Sequence, residues 1–399
     1  MQVPLPSRLA TGDLARMSVA ALAAAAGIDE PLDPARIALA YRSDRALTID
    51  GVAPDVWSPF SGFWKTHDGW VRTHGNYPHH ARRLLDALGV SADPDHLRAA
   101  FAERTSAEAV GRITRNGGLA VEVRPEDPAR DAALREDPLV ETAHPASPIG
   151  RRRGGGDGLT GIRVLDLTRV IAGPVCTRSL ALLGADVLRI DPPQLPEPEW
   201  QHFDTGHGKR SARLDARSPR FRELLGQADV VVLGYRPAAL DRLGLSPEAI
   251  LDRHPGIIVA QLSAWGVEDP DRAGFDSLVQ AESGIALIES PDGERPGALP
   301  AQALDHSAGY LLAASIVSLI ERRRADGEGG VVRTSLRRIA AELLGMPRLD
   351  TPEPFDDIDE GGHTAVFDVD GRRLTTARPV LPGLEFRAPH PWGADQPRW

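Results

Sequence analysis

The sequence predicts an α/β fold: a parallel sheet covered by helices, with a smaller α+β unit ahead of it in the chain. Three observations predict it. Residues 161–191 (GIRVLDLTRVIAGPVCTRSLALLGADVLRID) read strand, loop, helix, strand. Further on, residues 229–233 (DVVVL) and 257–262 (IIVAQL) are short apolar runs, the composition of strands buried on both faces of a parallel sheet. Between the halves, residues 145–159 (PASPIGRRRGGGDGL) are rich in Pro, Gly and Arg, the composition of a linker. The expected organisation is a small α+β domain over 1–145, a linker over 146–159, a parallel-sheet domain over 160–345 and a tail over 346–399 that packs back on the core.

In chain order, residues 14–26 read as a helix followed by the turn at Gly27. Residues 60–74 predict a hairpin, with aromatic and β-branched residues on either side of Asp68-Gly69. Residues 78–88 predict a helix: Pro78 opens it, Ala81, Leu84, Leu85 and Leu88 share a face, and Gly89 ends it. Asp93 and Pro94 supply an N-cap and a first position for a helix over 95–103. Residues 107–116 read as a further helix and 118–123 as a strand.

In the second half, Ile162, Val164 and Leu165 form the first strand, Pro174 opens the helix behind it, and Gly184 stops that helix. Ser218 caps a helix over 219–225, and short helices follow over 237–243 and 247–254. Residues 275–288 read as one buried helix. Ala308, Leu312, Ile316 and Ile320 recur every four residues, so 305–324 is a helix closed by Gly327. Asp370-Gly371 marks a second hairpin within 365–374.

The chain has 399 residues, 42% hydrophobic and 26% charged, an ordinary globular composition. A formal charge of −10 argues against a general nucleic-acid binder. The single cysteine, Cys176, excludes an internal disulfide, and its helical surroundings suit a packing residue. No apolar run of membrane-spanning length stands out, and the Ala-rich residues 19–26 lack a basic leader, so a cytoplasmic protein with no membrane partner is expected. The histidines show no metal-ligand spacing, and no metal site is expected. No G-x-S-x-G nucleophile elbow is present.

Four stretches carry candidate chemistry. The loop after the first strand, with a helix N-terminus behind it, is where a phosphorylated ligand sits in such folds. It offers Ala172-Gly173-Pro174 in place of G-x-G-x-x-G, so Asp191 at the end of the second strand is weak support for a nicotinamide dinucleotide. Residues 206–215 (GHGKRSARLD) place Lys209 and Arg210 behind two glycines, which suits phosphates and equally a solvated loop entering a strand. Asp305, in AQALDHSAGYLLAAS, stands at a helix start. On the residues alone it reads first as an N-cap; the alternative is that the same helix dipole keeps ionised a carboxylate able to attack a thioester carbonyl. Asp276, in RAGFDSLVQAESG, is a further helix-capping candidate.

Together the stretches VLDLTRVIAGPVCTRSLALLGADVLRID, GHGKRSARLD, ADVVVLGYRPAALDRLGL, GFDSLVQAESG, LDHSAGYLLAASIVSLIERRRADGEGG and TSL resemble the class III CoA-transferases, the CaiB/BaiF group, which also includes α-methylacyl-CoA racemases. The resemblance runs over about 161–343. It implies a Rossmann-like domain binding coenzyme A, a smaller second domain, and dimers of interlocked ring-like chains. It implies acyl-CoA and carboxylate substrates, with coenzyme A as substrate and no tightly bound cofactor. Asp305 falls on the aspartate that attacks the acyl-CoA thioester, and Asp276 on the acid of the GFD motif; these are the expected catalytic residues. Val170 and Ala172 fall on backbone that contacts the cofactor's adenine or pantetheine. Lys209 and Arg210 fall on a phosphate-binding pair, and Tyr235 and Arg242 on positions lining the CoA site.

The departures are specific. Phe275 stands where a racemase has its histidine, which disfavours proton shuttling. Ile171 stands where some transferases hold the acyl group with a glutamine, and Gly234 replaces a polar turn residue. Residues 60–125 resemble the small domain that normally follows the large one, and here precede it. The expected function is CoA transfer between carboxylic acids through an aspartyl intermediate. The alternatives are a CoA-binding relative without catalysis, or the disfavoured racemase.

Overall fold

A computed structural model of the chain describes residues 2–143, 158–352, 358 and 360–399. The expected linker, 146–159, lies outside the described residues except for its last two.

Seven strands form the main sheet. In chain order the six parallel strands are Arg163–Leu167, Asp186–Asp191, Arg210–Arg213, Val230–Leu233, Ile258–Ser263 and Gly330–Ser335. Counted in that order they lie side by side as 6-5-4-1-2-3, the doubly wound Rossmann arrangement. Glu141–Ala143 adds an antiparallel edge beside Gly330–Ser335. Val230–Leu233 is buried at every residue because helices cover both faces, which is why the sequence reads as a continuous apolar run there. The order reverses between Arg163–Leu167 and Val230–Leu233. Chains leaving these two strands turn to opposite faces and open a crevice at the carboxyl ends of the strands.

One helix runs through the core. Ala303–Asp326 packs against Thr11–Ala25 and against Ala172–Leu182. Gly309 sets the closest crossing: a Cβ there would stand 2.5 Å from the Ala172 carbonyl oxygen. Contrary to expectation, Ala303–Ala325 does have the length and apolar composition of a membrane span; 89% of its most apolar window is buried inside the protein, so interior packing accounts for that composition.

The smaller unit has its own sheet, Phe63–Lys65, Trp70–Thr73 and Ala120–Glu122, all antiparallel. Helices Pro78–Leu88, Pro94–Ala102 and Ser106–Arg115 cover it. Trp64, Leu84, Phe101 and Ile113 form its core, and the Trp64 and Phe101 rings stack with centroids 5.6 Å apart. The local signals operate as the sequence implies. Asp93 accepts the Asp95 N–H at 2.8 Å, and Gly89 closes its helix at φ 71°.

Two expectations are corrected. Residues 1–145 are not one unit. Thr11–Ala25 and Pro34–Tyr41 bury Leu14, Val19, Leu22 and Ile37 in the same core as the parallel sheet, while Pro128–Glu136 packs on Leu336–Gly345. The smaller unit is therefore confined to about residues 60–123. The expected helix 275–288 is two helices, Asp276–Ser283 and Ile285–Ile288. Gly284 breaks them at φ 97°, where a Cβ would stand 2.3 Å from the Glu126 backbone nitrogen, a contact only glycine permits.

After residue 360 the chain forms the hairpin Thr364–Val369 and Arg372–Ala377, with Asp370 and Gly371 both at positive φ, as a two-residue turn needs. Thr48–Ile49 joins it as a third strand. The last residues lie along the sheet edge, where Trp392 donates to Asp191 at 3.0 Å and Trp399 to the Leu224 carbonyl at 3.0 Å.

Candidate active site

A cavity of about 730 Å³ lies at the carboxyl ends of the parallel strands, between the main sheet and the smaller unit. Arg169, Val170 and Ala172 come from the loop after the first strand, and Gly234, Tyr235 and Arg236 from the loop after Val230–Leu233. The facing wall is Tyr77, His79, His80 and Arg83 of the smaller unit. Asp305 and Phe275 stand at the floor.

The first loop is held by Asp166, fully buried at the end of its strand. Its carboxylate accepts from the Thr168 N–H at 3.0 Å and hydroxyl at 2.5 Å, from the Thr177 hydroxyl at 2.6 Å and from Lys209 Nζ at 3.1 Å. Val170 then takes φ 72°, a left-handed conformation that strains a β-branched residue and is maintained only where surroundings enforce it. Gly173 permits the tight return of the loop: a Cβ there would stand 2.4 Å from Thr168 Cβ. The helix begins at Ala172, two residues before the proline expected to open it.

The two aspartates divide the work. Ala303–Asp326 starts after Gln302, so Asp305 lies in the first turn and is not the N-cap. Asp276 supplies the cap from another helix: its Oδ2 accepts the Asp305 N–H at 3.0 Å, and its other oxygen accepts from Gln280 Nε2. Asp276 is fully buried behind the cavity wall. The Asp305 carboxyl has no side-chain donor among the described residues and forms part of the cavity surface. Burial pushes both carboxyls up, Asp276 to about 6 against opposing hydrogen bonds, and Asp305 further because Asp276 adds like-charge repulsion.

Other expected residues lie elsewhere. Lys209 is buried and bonded to Asp166 and to the Pro174 carbonyl at 2.8 Å; its ammonium compensates a buried carboxylate and does not face the cavity. Burial lowers it to about 8. Arg210 pairs with Asp186 at 2.7 Å, toward the amino ends of the strands and away from the crevice. Arg242 is exposed, pairs with Asp271 at 3.0 Å and lines a separate 190 Å³ hollow. Ile171 packs toward the hydrophobic core. Asp191 is bonded to Arg189 at 2.8 Å and to Trp392, so it is not placed to hold a ribose. Val170, Ala172, Tyr235 and Asp305 are thus brought together, and Tyr235 presents a buried hydroxyl with no protein partner among the described residues. No group of metal-ligating side chains occurs among the described residues.

The polar wall of the smaller unit, His79, His80 and Arg83, which faces Arg236 and Arg272 on the sheet side, was not singled out in the sequence. Its signal is the polar cluster HHARR opening an otherwise apolar-faced helix. Phe275 meets this wall at His80, with ring centroids 6.0 Å apart, and stacks on His74 at 3.9 Å.

Residues 159–365 match the family model described as CoA-transferase family III. The chain belongs to this family. A probable fatty acyl-CoA transferase of Mycobacterium tuberculosis is 31% identical over 243 residues, covering 54% of this chain and 59% of that protein. A formyl-CoA:oxalate CoA-transferase of Afipia carboxidovorans is 34% identical over 209 residues, covering 48% and 49%. Among solved structures, a CaiB/BaiF family protein from Brucella suis is 25% identical with a TM-score of 0.40, covering 47% of this chain and 55% of that one. The chain therefore spans about half the length of the curated relatives it matches. The family match covers the parallel sheet, the Asp276–Asp305 pair and the strained Val170 loop, and leaves the smaller unit outside it.

Proposed function

We propose that this protein transfers coenzyme A between an acyl-CoA thioester and a free carboxylic acid, with Asp305 as nucleophile. The observation that carries the reading is the division of roles at the helix start. Asp276 caps the backbone, so the Asp305 carboxylate is left to the cavity. Attack of an Asp305 oxygen on the thioester carbonyl expels the CoA thiolate and forms a mixed anhydride. The thiolate then attacks the aspartyl carbonyl, releasing the first acid and leaving an aspartyl thioester. An incoming carboxylate attacks that carbonyl and again displaces the thiolate. The thiolate finally takes the new acyl group and restores Asp305.

The cavity suits such a ligand. Val170 and Ala172 present loop backbone, while Arg83 and Arg236 supply cations for the phosphates and His79, its pKa lowered by burial and the neighbouring arginines, supplies a neutral ring N–H. In this reading these residues replace Lys209 and Arg210 as phosphate ligands. Asp305→Ala is expected to abolish exchange of labelled CoA between acyl donors and acids, with CoA binding by calorimetry retained. Hydroxylamine during turnover is expected to modify Asp305 and no other carboxyl, read by peptide mass spectrometry. Wild-type exchange in Asp305→Ala overturns the mechanism. Binding of CoA without exchange by the wild type, across a broad panel of donors, favours a non-catalytic relative instead.

A further inference from the structure

A second cavity, about 490 Å³, lies on the other side of the junction between the two aspartates. Phe275 and Asp305 face the first cavity; Ser277, Gln280 and Gln302 face the second. Its central feature is Arg72. The guanidinium lies between two rings, 5.1 Å from the Trp57 centroid and 4.8 Å from that of Phe63. Nε is enclosed, and no acceptor among the described residues bonds to it. The one carboxylate that acts on it, Asp276, is already bonded to Gln280 and the Asp305 backbone. The Ser277 hydroxyl, also in this wall, is buried without a partner. A buried guanidinium nitrogen and a buried hydroxyl, both unpartnered in the lining of one cavity, are costly unless something binds there. The remaining surface is mixed. Val56 and Leu299 are apolar; Arg45 bonds to the Pro300 carbonyl, and Asp44 and Asp55 are the acids.

We propose that this second cavity binds a free carboxylic acid, its carboxylate held by Arg72 and Ser277 and its body against Val56 and Leu299. A carboxylate fits the planar guanidinium and accepts from the hydroxyl at once. Aromatic faces on both sides keep the guanidinium in place and leave its edge for the ligand. The volume is that of a small-molecule site. The proposal rests on the transferase reading only for the origin of the acid. It is either the acceptor held next to the aspartyl pair or an effector acting on that pair.

The test is calorimetric titration of the full chain with benzoate and hexanoate, against benzamide and hexanamide, in the absence of CoA. The expected result is binding of the acids alone, weakened ~10-fold or more in Arg72→Gln, the range for a charged hydrogen bond. Asp305→Asn is expected to bind as the wild type does. Ala298→Trp, at the exposed mouth of the cavity, blocks entry without touching Arg72 and keeps the test valid if Arg72→Gln fails to fold. Equal affinity in Arg72→Gln or in Ala298→Trp overturns the site. Loss of acid binding in Asp305→Asn also overturns it, placing the acid in the first cavity. In steady-state exchange, a rise in KM for the acid alone in Arg72→Gln identifies the acceptor, and a change in kcat at saturating acid identifies an effector. Because binding is read without turnover, failure of the mechanism at Asp305 and failure of this site are separate results.

Discussion

At the Asp276–Asp305 junction two buried carboxyl groups share one helix start, and they differ in what holds their charge. Asp276 accepts backbone and amide hydrogen bonds, which favour its ionised form; Asp305 has burial and the neighbouring charge against it. Both carboxyls are raised, so the folded state binds protons more tightly than the unfolded chain. Stability contributed here therefore falls as pH rises from the unfolded carboxyl value through the folded ones. Asp305→Asn keeps the shape and removes the charge. Its melting temperature is expected to exceed that of the wild type by a few degrees at about pH 7.5, with the gap closing toward about pH 5. A gap that stays constant with pH contradicts the assignment. The nucleophile must be ionised, so kcat/KM is expected to rise with pH. Asp276→Asn removes the repelling charge while its amide oxygen still caps the helix, so the rise is expected to move to lower pH. A profile unmoved in Asp276→Asn would show that the two groups do not interact.

The elements that carry these residues are fixed by close contacts between helices. Gly309 lets Ala303–Asp326 approach Ala172–Leu182, the helix that begins at the strained loop. In Gly309→Ala the new methyl meets the Ala172 carbonyl oxygen at 2.5 Å and Val175 Cβ at 2.8 Å. Overpacking of this kind costs about 1–3 kcal/mol, read as a lower urea midpoint. Because the push falls on Ala172, KM for acyl-CoA is expected to rise as well. Destabilisation with unchanged KM would separate the crossing from the loop. Elements of this kind were partly legible in the sequence. Asp93, Gly89, Ser218 and Asp370-Gly371 act through chain neighbours, so their caps and turns can be read from spacing. Gly284 was misread because its reason is a backbone contact with Glu126, far away in sequence. Lys209 looked like a phosphate ligand because nothing local reveals that Asp166 is buried beside it. Asp305 looked like a cap for the same reason: its substitute, Asp276, lies on another helix.

At the scale of the whole molecule, the cavity exists only because the smaller unit is held against the open end of the sheet. The fastening is a buried charge cluster. Glu197 accepts from Arg169 at 3.1 Å and Arg189 at 2.7 Å on the sheet side, and from the Tyr77 hydroxyl of the smaller unit. Arg169 also lies over the Tyr77 ring, 4.8 Å from its centroid. These bonds hold the two walls in register. A ligand touching both walls stabilises them together by mass action. CoA at saturating concentration is therefore expected to slow amide hydrogen exchange on both sides at once. The protected segments are those around 77–83 and 118–121 in the smaller unit, and around 169–172 and 234–236 at the sheet. The sheet loops would be protected in any Rossmann-type ligand site. Protection of the smaller unit is the part that tests the assignment of Arg83, with the neutral His79 next to it, as its phosphate wall. If only the sheet loops respond, the cations that hold the phosphates belong to the sheet, where Arg236 lines the cavity with Arg169 and Arg272, which are paired with Glu197 and Glu282.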